Sequence, residues 1–227
     1  MRITKQDHER VAHAVAQAER GTSGEIVTIM AGRSASYLDV VHGWMVIAVL
    51  VALGTLASLP TATIDAVLAR LLGWQAQIDH HEMLLALLIL ATVVAAAVRL
   101  VLAPLPMRLA MTPGWMEQRR VRARALDCFR IGAEKRTAGH SAVLIYVSLA
   151  ERRVEIIADR AIHGLVEPDA WGDAAKALVA AMRDGRPGDG MADAVHHVGA
   201  LLAVHFPPQA DDRNELPDRL IELGTMD

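Results

Sequence analysis

Two long apolar runs constrain this chain more than any other feature. The first, VVHGWMVIAVLVALGTLASL, covers Val40 to Leu59, and the second, MLLALLILATVVAAAVRLVLAPL, covers Met83 to Leu105. A helix needs about 20 mostly apolar residues to cross the hydrocarbon of a bilayer. Residues 43–59 and 83–98 carry no charge. Trp44 stands near one end, where an indole favours the interface. Arg99 lies close enough to the end of the second run for its guanidinium to reach the headgroups, and Pro104 and Pro106 stop that helix. The alternative is a pair of buried helices in a soluble core. Composition argues against it: 53% of the residues are hydrophobic but only 4% aromatic, and the excess of Ala, Leu and Val sits in these two runs. The expectation is a two-helix transmembrane hairpin.

Lys and Arg near the helix ends set the orientation. The connector, Pro60 to Glu82, has Arg70 against Asp65, Asp79 and Glu82. Arg20 and Arg33 precede the first run, and Arg108, Arg119, Arg120, Arg122 and Arg124 follow the second. Both termini are therefore expected in the cytoplasm and the connector outside. The N-terminal residues have no apolar core, so no cleavable signal peptide is expected. Cys128 is the only cysteine, which rules out an intrachain disulfide framework. A formal charge of −3 does not suit a general nucleic-acid binder, so the expected partners are membrane lipids and other membrane proteins.

The flanks of the hairpin read as one α/β domain, divided as follows. Residues 1–39 hold its first helix and strand, 40–105 the hairpin with its interfacial connector, 106–207 the rest of the domain, and 208–227 a flexible tail. Thr4 and Asp7 suit the start of an amphipathic helix running to Arg20, with Val11, Val15 and Ala18 on one face. Gly24 to Ala31 reads as a strand, with Glu25 as a solvated charge at its start. Trp115 to Arg136 reads as a helix with Val121, Ala125 and Phe129 inward. Ala142 to Leu149 and Arg153 to Ala158 read as a hairpin around Ala150-Glu151-Arg152. Helices follow at Pro168 to Asp184 and Met191 to His205, separated by the turn-rich GRPGDG. The fold class expected is a small mixed sheet sandwiched by helices, interrupted by the hairpin.

Chemistry-bearing residues are sparse. Consecutive histidines at His80-His81 and His196-His197 point about 100° apart on a helix and do not readily share one metal. Arg119, Arg120, Arg122 and Arg124 form the densest basic run and suit anionic lipid headgroups. Glu155, Asp159, Glu167 and Asp169 cluster near one strand end and its loop. They are the carboxylates a hard divalent cation such as Ca2+ would use.

The opening helix followed by TSGEIVTIMA, then AVLIYVSLAERRVEIIADRAI, a helix bearing Trp171, and MADAVHHVGALLAVHFP together resemble the TPM domain family. The resemblance implies a small sheet between helices and suits a bacterial branch of the family anchored in the inner membrane. It also brings links to photosystem repair, weak acid phosphatase activity and calcium binding. Typical members carry Asp-Asn-Gly before the central strand, where this chain reads Gly139-His140-Ser141. They carry a Gly-Tyr-Gly-like turn after the next strand, where it reads Ala158-Asp159-Arg160. The function expected is that of a membrane-tethered scaffold or quality-control adaptor, non-enzymatic. The alternatives are a divalent-cation-dependent phosphatase-like hydrolase and a calcium-responsive binding module.

Overall fold

The structure is a computed structural model that describes residues 3–72, 80–132, 141–166, 168–208, 216 and 218–224. The chain opens with helix α1 (Lys5–Glu19) and strand β1 (Glu25–Ala31). Four helices follow: α2 (Leu38–Ser58), α3 (Thr61–Leu72), α4 (His80–Val101) and α5 (Leu105–Ala110). Then come α6 (Gly114–Gly132), β2 (Ala142–Ser148), β3 (Arg153–Ala158), α7 (Arg160–His163), α8 (Pro168–Arg183), α9 (Pro187–His205) and β4 (Ile221–Leu223). The chain divides into two compact units, a sheet unit of Met1–Ser36 with Gly114–Asp227 and a helical insert of Tyr37–Pro113.

The sheet unit is built on a four-stranded mixed sheet in the order β3-β2-β1-β4. β1 runs parallel to β2, with Glu25 opposite Ala142 and Ala31 opposite Ser148. β2 and β3 form the antiparallel hairpin, with Ser148 opposite Arg153. Every residue of β1 and β2 is buried, as expected of central strands covered on both faces. On one face, Ile26, Met30, Val143, Ile145 and Val147 pack with Val11 and Val15 of α1 and with Leu178, Val195 and Val198 from α8 and α9. On the other, Val27, Ile29, Leu144 and Tyr146 pack with Val121, Ala125 and Phe129 of α6. Burying one such side chain fully contributes about 2 kcal/mol, so alternation along β1 and β2 is what holds the two helical layers to the sheet.

Local sequence explains the element ends. Thr4 and Asp7 form the expected capping box on α1, satisfying two amides the helix leaves open. The break read at GRPGDG is shorter than expected. α9 starts inside it, with Pro187 in its first turn, where a missing N–H costs nothing. Gly188 and Gly190 then serve close packing. A Cβ on Gly188 would stand 2.2 Å from Asp7 Oδ1, and one on Gly190 would stand 2.5 Å from Ala181 Cβ. The tail also differs from the expected loose end. Ile221–Leu223 adds a fourth strand, parallel to β1 with Ile29 opposite Ile221. Three residues carry too little periodicity to signal a strand; the exposed edge of β1 creates it.

In the helical insert, α2 and α4 pack along each other. They have 21 and 22 residues and are long and apolar enough to cross a membrane. α3 lies within the connector between them, of which residues 73–79 lie outside the described residues.

Candidate functional site

Three features of the described residues bear on function. The first is the surface of the insert. Leu50, Leu88 and Ile89 are each more than 60% exposed, and no residue of α4 is buried. The hydroxyls on these helices are taken up within them. Thr55 Oγ1 donates to the Val51 carbonyl at 2.7 Å, Ser58 Oγ to Thr55 at 2.8 Å, and Thr92 Oγ1 to Leu88 at 2.8 Å. Hydrocarbon offers such groups no partner, so a helix that crosses it must satisfy them itself. Trp44 Nε1 donates to the Met111 carbonyl at 3.2 Å, within the insert.

The second feature is a polar cluster at the C-terminal ends of the parallel strands β1 and β2. Open α/β sheets place ligands outside such strand ends. Here Ser34 N donates to Glu151 Oε1 at 2.9 Å, and Ser34 Oγ donates to Ser148 Oγ at 2.9 Å. The Tyr146 hydroxyl lies 3.1 Å from Ser34 Oγ, and Ser148 Oγ donates to Glu151 Oε2. Ser148, Tyr146 and Glu151 are buried. Burial pushes the Tyr146 phenol up to about 12 despite its bond to Ser34, so it stays a neutral donor. The members bond chiefly to one another. What the cluster does is pin the segment leaving β1 to the β2–β3 hairpin, with backbone support from Leu149 N to Ala31 O and Ala150 N to Gly32 O. Sequence reading missed it, because Ser34 lies more than a hundred residues from its partners.

The third feature is acidic. Glu19, on the last turn of α1, accepts from Ile26 N at 2.9 Å. Burial, then the neighbouring Glu25 and Asp218, raise its carboxyl from 4.5 to about 8, against the lowering effect of the Ile26 bond. Glu25, expected to be a solvated charge, is only 7% exposed. Strand β1 lies inside the sheet, so its first residue is covered by neighbouring segments.

The sequence-predicted site residues are dispersed. Glu155 lies on the α6 face of β3, where Arg122 Nη1 approaches it at 3.4 Å. Burial raises its carboxyl, opposed by Arg122 and Arg153. Asp159 is buried at the far end of that strand, its Oδ2 accepting from Ala142 N at 3.3 Å. Four steps along the strand separate the two, about 13 Å, and an ion with ligands at about 2.4 Å does not bridge that. Glu167 and the side chain of Asp169 lie outside the described residues. Among the arginines, Arg119 and Arg122 are exposed, while Arg120 and Arg124 are half-buried. Arg120 Nη2 lies against Met116 Sδ at 3.3 Å. Cys128 packs beside the α6 core, and burial raises its thiol, the opposite of an activated nucleophile.

Residues 110–201 match the family model of the TPM domain. The fold is similar to the NMR structure of the BA42 protein from the psychrophilic bacterium Bizionia argentinensis. The TM-score is 0.55 and the identity 19%, over 98% of this chain and 97% of that one. No curated protein matches the chain. The likeness to the TPM domain thus falls on α6 to α9, and strands from both ends of the sequence complete the sheet.

Proposed function

We propose that the protein is a membrane-anchored adaptor. A two-helix anchor holds a TPM domain at the cytoplasmic face, and the domain engages other membrane proteins as a scaffold or in quality control. One observation carries the anchoring: α2 and α4, of 21 and 22 residues, leave most of their apolar side chains uncovered and bond their hydroxyls internally. That pattern suits lipid and does not suit water. The adaptor role is supported by the use of the strand-end polar groups, which the fold spends on fastening its own segments. The orientation rests on the arginines that flank the insert.

The test is photo-crosslinking in native membranes from probes on the outer faces of α1 and α8. Discrete crosslinks to integral membrane proteins are expected. Crosslinks confined to lipid, with turnover of a phosphate ester by the purified chain that is lost in Asp159→Ala, would replace the adaptor reading with the hydrolase.

A further inference from the structure

The chain leaves the sheet unit after Ser36 and returns to it at Gly114. Within that unit, both junctions lie at one end of the sheet. Ala31, the last residue of β1, stands opposite Ser148, and Ser148 stands opposite Arg153. Arg153 Nη2 in turn donates to the Gly114 carbonyl at 3.0 Å, on the first residue of α6. The exit from β1, the β2–β3 hairpin and the N-terminus of α6 are therefore neighbours. Only six residues separate Ala31 from the start of α2, a reach of at most about 25 Å. The links of the chain to the insert therefore leave from this end of the sheet.

We infer that this end of the sheet unit is seated on the bilayer surface through Trp115, Arg119 and Arg152, which contact anionic lipid headgroups. The inference rests on the anchoring proposed above and adds the surface the domain uses. Trp115 is 63% exposed on the first turn of α6, an unusual place for an indole in water and a favoured one at a headgroup boundary. Arg119 is exposed one turn further along the same helix. Arg152 is exposed at the tip of the hairpin with a φ of 51°, a left-handed conformation that glycine or asparagine adopts at lower cost.

The acidic groups at the hairpin tip and on the first turn of α6 do not oppose an anionic surface. Glu117 Oε2 lies 3.4 Å from Arg153, and Glu151 is buried with Ser34 and Ser148. The other arginines expected at headgroups lie deeper. Arg122 faces Glu155, and Arg124 is half-buried ten residues into α6, about 15 Å along its axis.

The experiment uses the full chain in nanodiscs, with Trp44, Trp74 and Trp171 replaced by Phe so that Trp115 is the only indole. Lipids brominated near the headgroup end of the acyl chain report contact by quenching. Strong quenching is expected when about a third of the lipid is phosphatidylglycerol. It should weaken at least about twofold in pure phosphatidylcholine or in about 0.5 M salt, where surface charge is screened. Arg119→Gln with Arg152→Gln should produce the same loss in anionic discs. The lipid and salt arms need no charge substitution, so they stand if that variant fails to fold. Alkaline carbonate extraction of the same chain separates the two readings. Extraction from the membrane overturns the anchoring itself. Retention with weak or composition-independent quenching overturns the seat alone. Binding of an RNA or DNA oligonucleotide that removes the quenching would assign this basic end to nucleic acid instead.

Discussion

Replacing Glu19 by glutamine isolates a strongly perturbed carboxyl of the sheet unit. The amide keeps the acceptor for Ile26 N, which Glu19 Oε1 holds at 2.9 Å, and imitates the protonated acid beside Glu25 and Asp218. Burial and those neighbours raise the folded-state carboxyl from 4.5 to about 8. Between these values the folded chain keeps a proton that the unfolded chain has released. Glu19's contribution is thus fully present below pH 4.5, falls as pH rises, and levels off above pH 8. The full shift corresponds to about 5 kcal/mol. Part of the side chain still meets solvent, so the expected effect is about 2 kcal/mol. Glu19→Gln should match the parent near pH 4.5. It should be more stable near pH 8.5 by about 2 kcal/mol, or roughly 4–8 °C in Tm for a chain of this size. Thermal unfolding of the detergent-solubilised chain, followed by near-UV circular dichroism, reads this directly. Equal Tm values at both pH values, or a variant less stable at pH 8.5, would refute the reasoning.

Three further substitutions test other parts of the fold. Glu151→Ala removes the acceptor of Ser34 N and Ser148 Oγ. Leaving both donors in a buried site should cost roughly 3 kcal/mol, seen as a lowered denaturant midpoint. Gly199→Ala places a Cβ 2.6 Å from Ala18 Cβ and 3.3 Å from its Cα. Overpacking of about 1–3 kcal/mol then outweighs the gain of about 1 kcal/mol in helix propensity, and Tm should fall. Thr4→Ala breaks the capping box on α1 and should cost about 1 kcal/mol in the same melt.

The parts of the fold legible in the sequence are those with strong period. Val11 and Val15, Val121, Ala125 and Phe129, and the apolar run of β2 each announced their element and its buried side. The β2–β3 hairpin was legible because its strands are adjacent in sequence. Two elements escaped. β4 is three residues long and exists by pairing with β1, and α7 is a single turn following Asp159. The start of α9 was misplaced because glycines at 188 and 190 look like a turn, when their role is close contact with α1 and α8. Among site residues, Arg119 was legible as an exposed basic position. Glu155 and Asp159 looked clustered because they are close in sequence, but an extended strand holds them apart. The Ser34–Tyr146–Ser148–Glu151 cluster depends on parallel strands brought together across the insert, which local pattern does not encode.

In the function proposed above, a two-helix anchor divides one cytoplasmic domain. Paired reporter fusions at the C-terminus and within α3 (Thr61–Leu72) test that directly in living cells. The expected result is a reporter active in the cytoplasm at the C-terminus and one active on the opposite side of the membrane at α3. Both reporters in the same compartment would contradict the anchor, and a C-terminus outside the cytoplasm would reverse the orientation that the flanking arginines imply.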